Sequence, residues 1–342
     1  MSGNDWKQKP CVYFADKPNR SRINEGGRFN KPAADLDPDK AKTAWEKYDN
    51  DLFQHGRLIT CGLYVNIVLR DYVRTILNLN RAPTTWALDP RTKEGKNILS
   101  KPTPVATGNQ VSAEFNLIYR WHSSLSERDV KWTEDEFKRL LGEDIDPETA
   151  DLKTVLGKLH TFESGLPDEP TARPFAGLKR NENGTLPEDG LVKIWCESVE
   201  DVACAFGANK VPKVLRTIDV LGIIQARFWK LATLNEFREY FGLTRHKTFT
   251  DINPDKEVAK KLQYLYDSVD SVELYPGLVA EKAKPAMVPG SGLCVNYTIS
   301  RAILSDAVAL VRGDRFFTVD YTPKNLTNWG YVFSGRRPPL LA

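Results

Sequence analysis

Glu114-Phe115-Asn116-Leu117-Ile118-Tyr119-Arg120-Trp121-His122 is the stretch on which the reading of this chain turns. It is expected to lie on a helix over residues 111–125. On such a helix Tyr119 and His122, three residues apart, share one face with Cβ atoms about 5–6 Å apart. The chain has four histidines in all. A phenol and an imidazole side by side on an apolar helix can serve one metal cofactor, the imidazole as a ligand to iron and the phenol as the group it oxidises. Taken alone, a helical histidine is more often a satisfied core residue than a ligand.

Outward from this stretch the chain reads as one helix after another. Residues 1–36 are rich in Pro, Gly and Asn and read as irregular. Asp37-Pro38 offers an acceptor at N-cap and a proline at N1, starting a helix that runs to about Phe53. Residues 57–81 predict a second, more apolar helix, enclosed on most sides. Pro83 to Gly108 reads as a loop. Thr133-Glu-Asp-Glu136 reads as a capping box and Gly142 as a stop, with another helix over 147–160. Residues 163–190, punctuated by Pro and Gly, read as a surface excursion. Helical periodicity returns from Glu188 to Gly207 and from Val211 to about Lys230. Thr233-Leu-Asn-Glu236 reads as a second capping box, opening a short helix that ends at Gly242. Asp255 to Ser268 is amphipathic, Pro276 breaks the pattern, and a last helix runs from roughly Ile299 to Arg312. With no internal repeat and no alternating strands, the fold class is mainly α.

Bulk properties narrow the function. The 342 residues are 41% hydrophobic and 27% charged, the balance of a globular chain with a substantial core. Net charge is +3 from 48 basic and 45 acidic residues, too even to point to nucleic acid. Eight tryptophans and 15 phenylalanines imply large buried surfaces or an aromatic-lined pocket. The five cysteines are scattered and unpaired in spacing, so neither a disulfide scaffold nor a zinc knuckle is expected. Residues 1–10 lack an apolar core, and the run Leu58–Leu69 falls short of the ~20 residues of a membrane span. The expected location is cytoplasmic or peripherally lipid-associated, not secreted and without a transmembrane segment. No His-Glu-x-x-His helix, Cys-x-x-Cys-His attachment, phosphate loop or Gly-x-Ser-x-Gly elbow is present.

Glu114-Phe-Asn-x-x-Tyr119-x-Trp-His122 resembles the proximal helix of cyclooxygenases and of the fungal linoleate diol synthases (psi-factor-producing oxygenases). Other stretches agree in order. Asp71-Tyr72-Val73 with Leu88-Asp-Pro90 resembles the channel helix and the loop after it, and Asn235-Glu-Phe-Arg238 followed by Ser271-Val-Glu-Leu-Tyr-Pro-Gly-Leu278-Val-Ala-Glu281-Lys282 resembles a further pair. Asn24-Glu-Gly-Gly-Arg-Phe29 and Tyr48-Asp-Asn-Asp-Leu-Phe53 look fungal. The resemblance implies a partial heme-peroxidase, cyclooxygenase-like helical domain over residues 22–331, between a non-matching N-terminus (1–21) and an unrelated tail (332–342). It also implies heme b, with His122 as proximal iron ligand and Tyr119 as the radical that takes a substrate hydrogen. By similarity Phe115, Ile118 and Trp121 lie near the substrate, and Val73, Ile76 and Leu77 line the acyl channel. The partners implied are an unsaturated fatty acid and molecular oxygen, with homo-oligomer formation left open.

The family's distal histidine and calcium loop precede the region resembled, so the chain is expected to represent the C-terminal half of a dioxygenase domain in truncated form. Rival readings are a non-catalytic remnant binding heme or lipid or neither, and a heme peroxidase acting on small donors. Tyr72, Tyr275, Phe316 and Phe317 are expected as core aromatics, and Cys61 and Cys294 as small core fillers. Arg238 and Glu273 are expected in buried or half-buried polar pairs, and Arg120 as a solvated or ion-paired residue pointing away from Tyr119 and His122.

Overall fold

The structure, a computed structural model, describes residues 29–77, 103–108, 110–173, 175–285 and 293–335. Outside these fall residues 1–21, most of the 83–108 loop, the end of the 57–81 helix, Leu88-Asp-Pro90, and 336–342 of the tail. In chain order the helices are α1 (Pro38–Ile67), α2 (Val73–Ile76), α3 (Phe115–Ile118), α4 (Glu127–Leu141), α5 (Leu152–Ser164) and α6 (Glu188–Glu200). They continue with α7 (Arg216–Phe228), α8 (Leu234–Tyr240), α9 (Phe249–Ile252), α10 (Lys256–Leu265), α11 (Leu274–Ala280), α12 (Tyr297–Gly313) and α13 (Pro323–Gly335). Among the described residues there are isolated β-bridges and no named strands, so the mainly α reading holds. No helix of the described residues is long and apolar enough to cross a membrane.

Two compact units divide the chain, with boundaries falling inside α2 and α12. In the first, α1 packs against α13. Asp37 caps α1 by accepting from Asp39 N at 3.2 Å, and Pro38 sits at its first position, where a missing N–H costs nothing. The stripe Leu52, His55, Gly56, Ile59, Gly62 and Asn66 is buried on one face. Glycines permit the close approach: a Cβ on Gly62 would stand 2.5 Å from Tyr321 Cε2, and one on Gly330 would stand 2.6 Å from Ile59 Cδ1. Asn66 Nδ2 then reaches Tyr321 OH at 3.1 Å, and Tyr321 OH pairs with Ser334 Oγ at 2.8 Å. At the end of α1 the chain winds through a wider π turn, Val68–Tyr72, in which Val73 N donates to Val68 O.

In the second unit α7, α8 and α11 form the frame that matters for function. Thr233 and Glu236 cap α8 reciprocally, as the capping-box pattern predicts, and Gly242 follows in the left-handed region at φ 71°. Leu234, Val272, Leu274 and Leu278 are buried to 2% exposure or less, each contributing about 1.5–3 kcal/mol of apolar burial. Glu273, at the start of α11, takes a two-point ion pair from Arg227 of α7 at 2.5 and 3.0 Å. Glu281, at its end, binds Arg238 Nη1 (2.5 Å), Thr298 Oγ1 (2.7 Å) and His246 Nε2 (2.9 Å). Arg238 and Glu273 thus stand in the polar pairs expected of them.

Several local expectations are corrected. Residues 38–67 form one helix rather than two, because no proline interrupts Gln54-His55-Gly56 and the buried stripe runs through it. Its apolar C-terminal part is not enclosed on most sides: Tyr64 is 67% exposed. Thr133 lies inside α4, bonding Asp129 O at 2.7 Å, and Ser126 is the true cap. Pro276 occupies the first turn of α11 rather than ending a helix, a position where proline is tolerated. Cys61 and Tyr72 are exposed rather than core.

The largest correction concerns residues 111–125. Only Phe115–Ile118 is α-helical; Tyr119 (φ −97°, ψ 13°) and Trp121 (φ −107°, ψ 35°) leave the helix, and His122–Ser124 is a 3₁₀ turn. The indole Nε1–H of Trp121 takes the Ile118 carbonyl at 2.7 Å, which a continuing α-helix would have used. Tyr119 and His122 therefore do not share a regular helical face, and their placement rests on tertiary contacts.

Candidate functional site

The centre of the second unit is a carboxylate that serves two rings. Asp219 lies in the first turn of α7, within the otherwise apolar run Ile218-Asp219-Val220-Leu221-Gly222-Ile223-Ile224. Its Oδ1 accepts from His122 Nδ1 at 2.6 Å and from Tyr275 OH at 2.9 Å. Both are hydrogen bonds to an ionised acceptor, the stronger kind. The His122 side chain is 25% exposed and that of Asp219 17%, whereas Tyr275 is 3% exposed. Burial, and then the Asp219 charge, push the Tyr275 phenol well above the usual tyrosine range, so it stays protonated and remains a donor.

This arrangement sets the chemistry of His122. Where His122 is neutral and donates Nδ1–H to Asp219, Nε2 carries the lone pair, and a carboxylate behind an imidazole both fixes the ring and makes it a better donor to a metal. Immediately after it, Ser123 Oγ and Ser124 Oγ are buried with no hydrogen-bond partner among the described residues. Orphaned hydroxyls of this kind cost about 1–3 kcal/mol each.

Arg120 departs from its expected role. Instead of pointing to solvent, its Nη2 donates to Gln225 Oε1 of α7 at 2.8 Å and to Asn116 Oδ1 at 3.1 Å. Its guanidinium lies 5.9 Å from the Tyr275 ring centroid. Tyr119 stacks between Phe115, at 4.7 Å and 29°, and Trp121, at 5.5 Å and 19°. The structure thus brings Phe115, Tyr119 and Trp121 together as an aromatic stack and turns His122 toward α7. Ile118 is 1% exposed, and Ile76 and Leu77 are buried at the start of the same unit, Leu77 O accepting from Lys284 Nζ at 2.9 Å. Val73 is 1% exposed and belongs to the first unit.

Asp219 is the residue that sequence reasoning missed. Its signal was there to find: a lone carboxylate in an apolar helical run needs a partner. An open groove of about 530 Å³ lined by Lys247, Lys256, Lys260 and Asp267 shares no residue with this cluster. No group of three or more His, Cys, Asp or Glu side chains among the described residues is placed to hold a bare metal ion.

The site of this helical unit is thus one imidazole backed by a carboxylate that also takes a buried phenol. The profile of the animal haem peroxidase family matches residues 30–330, and the chain belongs to that family. A protein named 7,8-linoleate diol synthase from Pyricularia oryzae is 64% identical over 311 residues, covering 91% of this chain and 26% of that protein. Linoleate diol synthase of Gaeumannomyces graminis is 62% identical with the same coverage. Psi-producing oxygenase A of Emericella nidulans is 58% identical over 90% of this chain and 28% of its own. The chain therefore spans about a quarter of the length of these relatives. The crystal structure of a fatty acid alpha-dioxygenase from Arabidopsis thaliana superposes with a TM-score of 0.51 at 18% identity, covering 84% of this chain and 46% of that one. That of Oryza sativa gives 0.50 at 17%, covering 84% and 48%. These likenesses support the fold.

The residues present fit a heme. His122 Nδ1 is anchored on Asp219, which leaves Nε2 as the nitrogen that would face a metal, and the unpartnered hydroxyls of Ser123 and Ser124 follow it in the chain.

Proposed function

We propose that this chain forms the proximal part of a heme-dependent fatty-acid dioxygenase of the linoleate type. His122 would hold the iron of heme b, and Tyr119 would be the phenol that works on the substrate. The observation that carries the reading is the Asp219 anchor behind His122, 2.6 Å from Nδ1. The names of the fungal relatives support the substrate class.

Heme b, when bound, supplies a one-electron oxidant strong enough for a phenol. Everything else falls to the protein. Asp219 holds the imidazole in the Nδ1–H tautomer, and Tyr275, kept protonated by burial, steadies the carboxylate. Phe115 and Trp121 stack on Tyr119 and orient its ring. As a phenoxyl radical, Tyr119 takes a hydrogen atom from the fatty acid: the C–H bond breaks and the O–H bond forms. Oxygen adds to the carbon radical, and the peroxyl group recovers that hydrogen from Tyr119, leaving a hydroperoxide and the phenoxyl for the next turnover. Within the second unit, Phe115, Ile118, Trp121, Ile76 and Leu77 are the apolar side chains assigned to the acyl chain.

Two measurements test this. Heme titration should produce a Soret band whose bound-state form is lost in His122→Ala. Oxygen uptake with linoleic acid should vanish in Tyr119→Phe while the Soret band persists. Full lipid oxygenation by Tyr119→Phe would end the radical assignment.

A further inference from the structure

We propose that Arg120 is a positioning residue, its guanidinium docked in a notch at Gly222 of α7 so that the segment 119–122 presents His122 squarely to Asp219. The inference rests on the reading of His122 as the iron ligand and concerns residues that touch neither iron nor substrate.

Arg120 and His122, two residues apart, both reach α7. His122 ends on Asp219 (2.6 Å), and Arg120 ends on Gln225 (2.8 Å), with Gly222 between them. Asp219 and Gly222 are three residues apart on α7, hence neighbours on one face, with Gln225 the next step along. At Gly222 the helix is cut away for the guanidinium: an added Cβ would overlap Arg120 Nη1 and stand 3.1 Å from its Cζ. The atoms met are the tip of a flexible side chain, so an added Cβ would push the guanidinium off the groups that hold it rather than move the helix. Asn116 Oδ1 takes Nη2 at 3.1 Å and Nε at 3.3 Å, and the Tyr275 ring lies across from Cζ. Tyr275 links the two anchors, its hydroxyl on Asp219 and its ring face toward Arg120.

One attachment to α7 would leave the 119–122 segment free to pivot about the His122–Asp219 bond. Two attachments remove that rotation. The backbone here is outside the helix, with Tyr119 and Trp121 in the sparsely populated bridge region, and its local bonds (Arg120 N to Leu117 O, Ser124 N to Trp121 O, Trp121 Nε1 to Ile118 O) involve no atom of the His122 ring. The glycine at 222 is explained by the space Arg120 needs, since its conformation is ordinary helix.

The test uses the four histidines of the chain. Ring ¹⁵N NMR of the heme-free protein reads the His122 tautomer and the exchange rate of its Nδ1 proton. The iron–imidazole stretching band in resonance Raman spectra of the heme-loaded protein reads the same hydrogen bond from the metal side. In Gly222→Ala, Nδ1 proton exchange should rise at least about tenfold and the Raman band should shift. Gln225→Met, which removes an acceptor without adding bulk, should do the same more weakly and keeps the test open should Gly222→Ala fold poorly. Adding Gly222→Ala to Arg120→Ala should change nothing more, since the notch is then empty. Unchanged His122 signals in folded Gly222→Ala and Gln225→Met would overturn the assignment. Should the parent chain take up no heme through His122 while the exchange effect persists, the functional reading falls and the positioning role stands.

Discussion

Replacing Asp219 by alanine strands two donors of unequal standing, and the inequality can be measured. Tyr275 is 3% exposed, so its hydroxyl has no water to turn to; a buried donor left unpaired costs about 1–3 kcal/mol. His122 is 25% exposed, and water replaces much of its lost bond, leaving about 1 kcal/mol. Asp219→Ala should therefore destabilise the heme-free chain by about 3 kcal/mol. In a Tyr275→Phe background the buried donor is already gone, and the same substitution should cost only about 1 kcal/mol. The difference, a coupling of about 2 kcal/mol, is read from urea unfolding of the four proteins near neutral pH, provided each unfolds with the same m-value. Equal costs of Asp219→Ala in both backgrounds, within about 0.5 kcal/mol, would refute the shared carboxylate.

Further expectations concern pH and the buried ion pair. Tyr275 and Tyr266 are both held above the usual tyrosine range, burial being the first cause for each. The folded chain therefore keeps protons that the unfolded chain has lost. Their contribution is complete below pH ~10 and is lost as pH rises toward the folded values, at up to about 1.4 kcal/mol per pH unit for each group. Alkaline urea titrations should show a shallower decline in Tyr275→Phe, and an unchanged slope would count against its buried donor role. At the end of α11, Glu281 is 4% exposed and Arg238 9%. Glu281→Leu should cost about 3–5 kcal/mol by leaving the arginine charge buried, and Glu281→Leu with Arg238→Met should recover most of it. Denaturant midpoints decide the point.

What could be read from the residues alone was the local chemistry. Asp37-Pro38, Thr233 with Glu236, and Gly142 act on backbone groups within a few positions, so the caps stand where their residue types predict. What could not be read came from distant partners. The helix through Tyr119 stops because Trp121 claims the Ile118 carbonyl and Arg120 is drawn to Gln225, 105 residues away. Asp219 lies 97 residues from His122, and nothing in the spacing of either announces the other. The continuity of α1 through Gly56 depended on a buried stripe that the glycine masked.

The wide turn at Val68–Tyr72 has an evolutionary consequence. It carries one residue more than an ordinary winding needs, and the surplus sets the angular phase of whatever follows, like a shim in a screw thread. Loss of a single residue elsewhere in this helix, where no surplus absorbs it, would swing the downstream chain by about 100°. Val73, now 1% exposed, would rotate off its buried side. Length changes in this helix should therefore be purged even where individual side chains at the same positions drift freely.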